Sequence, residues 1–133
     1  MTRSVMFKSP AARETIERWH GRFRDQIGSP VESRTVPTSF GATHVLVGGP
    51  ESAPPLVILH GALASSAHLL VELRALLKHF RVYAVDVIGQ SVKSADVRLR
   101  VDNDDYGHWL VQVVDGLGLQ TFRLIGVSWG GFV

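Results

Sequence analysis

The sequence predicts an α/β protein: a mostly parallel sheet with an N-terminal hairpin and flanking helices. Three observations carry this. Short apolar runs of strand length (Leu56 to Leu59, Val82 to Val85 and Thr121 to Ile125) alternate with stretches of helical periodicity. The first run, Leu56-Val57-Ile58-Leu59, has no polar interruption, as expected of a strand covered on both faces. The helical stretches between the later strands are long enough for right-handed crossovers, which join parallel neighbours.

The elements follow in order. Ser9-Pro10 reads as a helix start, serine as cap and proline at the first helical position. Ala12, Ile16, Trp19, Phe23 and Ile27 then recur at helical spacing, and Gly28 with Pro30 ends the run. Arg13, Arg18, Arg22 and Arg24 lie mostly off that stripe, so the segment is expected to pack on the domain by its apolar face rather than lie on a membrane. This divides the chain into an amphipathic helix over 1–31 and a partial domain over 32–133. Glu32 to Val47 reads as two strands joined at Phe40-Gly41, closed by Gly48-Gly49-Pro50. After the 56–59 strand, Ala67 to His79 is expected to be one helix, with Leu69, Leu70, Leu73, Leu76 and Leu77 inward. The strand ending at Val85-Asp86 follows. Asp102 to Asp105 form an acidic helix start suited to the positive end of a helix dipole. Tyr106, Trp109, Leu110, Val113, Val114 and Leu117 mark its buried face, and Gly116 and Gly118 stop it before the last strand.

Composition narrows the function classes. The 133 residues are 45% hydrophobic and 20% charged, which suits a globular core. There is no cysteine, so disulfides, thiolate metal sites and cysteine nucleophiles are excluded. The net charge of +2 comes from the segment up to Gly28, with no dense Lys/Arg run, so no nucleic-acid partner is expected. Neither a secretory signal nor a membrane-length apolar stretch is present, and a cytoplasmic protein without membrane partner is the expectation. Asp102 to Gly107 begins like a calcium loop but has Tyr106 at a ligand position, and Gly116-Leu117-Gly118 lacks a third glycine and a preceding strand. His20, His44, His68, His79 and His108 show no metal-ligand spacing, so surface or cap roles, no metal and no cofactor are expected.

The chemistry is concentrated at Leu124-Ile125-Gly126-Val127-Ser128-Trp129-Gly130-Gly131, an apolar strand running into Gly-x-Ser-x-Gly. Such a pattern holds a serine on a sharp strand-to-helix turn. A serine at positive φ crowds the residues two before and two after it. Gly126 and Gly130 relieve that crowding, and Gly131 is expected to let the next helix approach the sheet. Two further loops follow strand ends: His60-Gly61-Ala62 after Leu59, and Asp86-Val87-Ile88-Gly89-Gln90-Ser91 after Val85. In order and spacing, from about Arg34 to Val133, these three resemble the first half of an α/β-hydrolase, and among those its bacterial carboxylesterase-type members.

That resemblance implies a role for each residue. Ser128 would be the nucleophile attacking an ester or related carbonyl. The backbone N–H groups of Ala62 and Trp129 would form the oxyanion hole. His60 with Gly61, and Asp86 with Gly89, would organise their loops, Asp86 by accepting backbone N–H bonds, neither being the base or acid of a triad. Triad order in this fold is Ser, then Asp or Glu, then His. The five residues after Ser128 include neither, so the chain is expected to be an N-terminal fragment of a small-molecule ester hydrolase, inactive as given. A fragment of an acyltransferase of the same fold, or a non-catalytic binding remnant, fits the same residues. Substrate and oligomeric state are not specified by any of them.

Overall fold

The computed structural model describes residues 6–62 and 64–133. Five strands, β1 (Val31–Val36), β2 (Thr43–Gly48), β3 (Pro55–Leu59), β4 (Arg81–Val85) and β5 (Arg123–Gly126), form one mixed sheet in the order β1-β2-β4-β3-β5. As the sequence predicts, β1 and β2 are an antiparallel hairpin; Thr38 and Gly41 exchange backbone bonds of 3.2 and 3.1 Å at its turn. β2 also runs antiparallel to β4, so the parallel part is β4-β3-β5, the region served by crossovers.

β3 shows why its sequence is apolar throughout. Val57 and Leu59 point to one face, with Val85, Trp109 and Val113; Leu56 and Ile58 point to the other, with Leu69, Leu70 and Ala84. The first face is covered by helix α3 (Asp105–Gly116), whose Trp109 is fully buried and donates its indole N–H to Thr43 Oγ1 at 2.8 Å. The second is covered by α2 (Ser66–Glu72), capped by Ser65 Oγ, which accepts from the His68 N–H at 3.2 Å.

Several boundaries differ from expectation. The expected 67–79 helix is α2 followed by a separate 3₁₀ segment, Arg74–Lys78. Leu73 leaves helical geometry at φ −105°, and the tighter turns bring the chain back to Arg81 at the start of β4, leaving Leu73 and Leu76 only partly buried. The acidic run does not begin a helix together: Asp102 pairs with Arg100 at 2.9 Å, Asn103 Oδ1 accepts from the Asp105 N–H at 3.0 Å, and only Asp105 falls in the first turn of α3. β5 starts two residues later than the apolar run and lies at the sheet edge, with Leu124 and Ile125 exposed.

Helix α1 (Pro10–Gln26) forms as read, with Ser9 Oγ accepting from the Ala12 N–H at 3.1 Å. Its apolar stripe is only partly packed. Ile27 is buried and Phe23 packs beside it, but Ile16 and Trp19 are 46% and 48% exposed, while His20 is 3% exposed. The helix meets α2 through its C-terminal half, where Phe23 stacks edge-on to His68 at 4.8 Å, and its N-terminal half overhangs a cavity.

Two of the three tryptophans, Trp109 and Trp19, give a direct comparison. Trp109→Ala should cost about 3–5 kcal/mol in urea unfolding, because a large ring leaves a closed core. Trp19→Ala should cost less than about 1 kcal/mol.

Candidate active site

The turn after β5 has the geometry its sequence requires. Ser128 has φ 53°, alone in the left-handed region among the described non-glycine residues, and a short 3₁₀ segment, Ser128–Gly131, follows it. Such strain persists only where neighbours hold it in place. Here the Val127 N–H donates to Leu59 O at 3.0 Å and the Gly130 N–H to Val127 O at 2.9 Å, tying the turn to the end of β3. Glycine is obligatory on both sides. A Cβ on Gly126 would sit 2.5 Å from Gly130 O, and one on Gly130 would sit 2.5 Å from Leu59 O. A Cβ on Gly131 would meet Gly126 O at 3.5 Å, an ordinary contact.

Ser128 is exposed at the carboxyl end of the parallel strands, and the Gly61 backbone lies beside it: a Cβ on Gly61 would be 3.6 Å from Ser128 Cβ. Ala62 is exposed on the same loop, whose next residue, Leu63, lies outside the described residues. Trp129 is half-buried, with the Tyr106 ring edge-on at 4.8 Å. His60 is not directed at the serine. Its Nε2 accepts from the Val87 N–H at 2.9 Å, so Nδ1 carries the proton and donates to Gly61 O at 2.6 Å. Burial pushes its pKa below the ordinary 6.5, partly countered by the Asp86 charge and the Gly61 carbonyl. It is a neutral clamp between two loops.

Asp86 is the second clamp. Its Oδ1 accepts from the Ser66 N–H at 2.9 Å and from Ser91 Oγ; its Oδ2 accepts from Ser66 Oγ and from His44 Nδ1 at 2.6 Å, with His20 Nε2 at 3.6 Å. Against expectation, a single backbone N–H and several side chains satisfy it. Burial by itself would raise its pKa, but interactions with His20 and His44 outweigh that and hold the carboxyl well below its usual range. Gly89, at φ 74°, is required in the same loop, since a Cβ would lie 2.3 Å from Val97 O.

The histidines also depart from the sequence reading. His79 caps the 3₁₀ segment and His108 is exposed, but His20 and His44 meet at Asp86 inside the protein. They come from different elements, so no spacing could reveal them. The cavity that the sequence did not disclose has a volume of about 540 Å³, with Phe7, Ile16, Trp19, Phe23, Ser65 and Val92 among its walls. It lies where the chain leaves β3 and β4, on the same edge of the sheet as Ser128. One tight turn, Ala64 N–H to Gly61 O at 3.2 Å, separates its wall from the loop beside the serine.

A sequence profile of the alpha/beta hydrolase fold matches residues 54–133, from β3 through the Ser128 turn. The chain belongs to the α/β-hydrolase family. This α/β-hydrolase is 45% identical over 96 residues to the uncharacterized carboxylesterase nap of Bacillus subtilis, and 43% identical over 104 residues to carboxylesterase YbfK of the same organism. These matches cover 72% and 77% of this chain but 32% and 35% of the relatives, so the chain spans about a third of their length. The crystal structure of naproxen esterase from Bacillus subtilis superposes with a TM-score of 0.82 at 36% identity, over 94% of this chain and 44% of that one.

Gly130→Ala should destabilise the α/β-hydrolase by at least about 2 kcal/mol in urea unfolding, since its methyl would strike backbone that has no room to move. His60 makes a pH prediction. Its folded pKa is lowered, so the stability it adds is fully present above the ordinary 6.5 and is lost as pH falls below that value. The urea midpoint should therefore decline between about pH 7 and pH 5, and His60→Asn should reduce that slope.

Proposed function

We propose that the full-length protein is a carboxylic-ester hydrolase working through an acyl-enzyme on Ser128. The observation that carries this is the strained serine at φ 53°, held against the Gly61 loop in a chain resembling carboxylesterases. Ser128 Oγ attacks the ester carbonyl carbon and its proton passes to a histidine base. The carbonyl oxygen becomes an oxyanion stabilised by the Ala62 and Trp129 N–H groups. The alcohol leaves with the proton from that histidine, and water then releases the acid. In this fold's order the acid and the histidine come after the nucleophile.

The cavity beside the Gly61 loop gives the substrate its chemical character. Its size falls within the range of small-molecule sites, and its apolar walls suit the apolar part of an ester. α1 supplies a preformed wall, because Arg24 bonds Ser33 Oγ at 2.7 Å and Val31 O at 3.2 Å from its last turn.

Ester turnover by the full-length protein should fall at least about 10³-fold in Ser128→Ala, and a fluorophosphonate probe should label Ser128. Persistence of turnover in that variant would overturn the assignment. For the 133-residue chain, turnover should not exceed that of its own Ser128→Ala variant. Trp19→Ala in the full-length enzyme should raise KM for naphthyl esters several-fold while leaving KM for acetate esters of small alcohols unchanged.

A further inference from the structure

We propose that His20, His44 and Asp86 form a binding site for a divalent transition metal ion of the zinc type, through His20 Nε2, His44 Nδ1 and Asp86 Oδ2. The three ligand atoms come from α1, β2 and the loop after β4, and all lie within 4.8 Å of one another. A tetrahedral zinc ion with bonds of about 2.0–2.1 Å places its ligand atoms about 3.3 Å apart. The observed separations from Asp86 Oδ2, 2.6 Å to His44 and 3.6 Å to His20, bracket that value, so shifts of less than about 1 Å close the site.

Two features point to an ion rather than to a self-sufficient hydrogen-bond cluster. The first is His20 Nε2. The residue is 3% exposed, and its Nε2 lies 3.4 Å from Ser66 Oγ and 3.6 Å from Asp86 Oδ2. The Ser66 bond is long, so His20 Nε2 can turn to an ion without giving up a strong hydrogen bond. The second is the support around the other ligands. Asp86 Oδ1 is held by the Ser66 N–H and Ser91 Oγ, which fixes the direction of Oδ2. His44 Nε2 lies 2.9 Å from Ser33 Oγ, the outer hydrogen bond that orients a metal-binding imidazole.

Binding replaces the hydrogen bond between His44 Nδ1 and Asp86 with two bonds to the ion. His44 changes tautomer: Nδ1 gives up its proton to bind the ion and Nε2 takes one up, so that Nε2–H donates to Ser33 Oγ with no net proton released from this ring. Two imidazoles and one carboxylate suit zinc, cobalt and nickel better than calcium or magnesium, which favour all-oxygen sites. His20 also lines the 540 Å³ cavity, which gives the ion a route in and a fourth position for water. The ion joins the N-terminal helix to the sheet, independently of any reaction at Ser128.

The test is isothermal titration of zinc chloride into metal-free protein, with cobalt absorption as a reporter of coordination geometry. One equivalent should bind with a Kd of about 1 μM or tighter. His20→Gln and His44→Gln should each weaken it at least about 100-fold, whereas His79→Gln and His108→Gln should not. A wild-type Kd weaker than about 100 μM, or unchanged affinity in the two buried-site variants, overturns the proposal. Should those variants fail to fold, imidazole NMR of the wild type decides. Zinc should then shift the His20 and His44 resonances; shifts confined to His68, His79 and His108 overturn it.

Discussion

A buried carboxylate organises this protein. Asp86 is fully enclosed, and an ion in that position is tolerated only with partners on every side. Those partners are drawn from far apart in the sequence: His20 from α1, His44 from β2, Ser66 from the start of α2 and Ser91 from the loop after β4. Satisfying one charge therefore sets where the N-terminal helix lies, where α2 begins and how the loop after β4 turns. His60 adds the link to the next loop, joining the Val87 N–H to Gly61 O.

The Ser128 turn depends on that framework from the other side. Its backbone is strained, and the strain is held by close approach between Gly126 and Gly130 and by the Val127 bond to Leu59. β3 is the shared element. Its last residue receives the turn, the next two carry the His60 clamp and the Gly61 backbone, and its side chains fill both cores. Ser128 placed this way sits on a rigid strand end while its surroundings are loops.

The cavity between α1 and those loops belongs to the same logic. α1 packs through Phe23, His20 and Ile27, and its remaining apolar residues, Ile16 and Trp19, face space rather than core. A helix anchored by polar bonds can keep apolar residues exposed beside a cavity without losing its place.

What could be read from the sequence alone was local. Strand and helix periods, the Ser9 cap, the hairpin and the Gly-x-Ser-x-Gly turn depend on residues within a few positions of each other, and each was legible for that reason. The loop roles of His60 and Asp86 came only with the resemblance to the α/β-hydrolases, and for Asp86 the expected backbone partners proved to be mostly side chains. The break at Leu73 was not legible, because five leucines keep helical spacing while the return to β4 demands a tighter turn. Above all, the meeting of His20, His44 and Asp86 was invisible, as was the exposure of Ile16 and Trp19. Periodicity shows which face of a helix is apolar; how much of that face is covered is decided by the partners the fold brings to it, and by the charge it must bury.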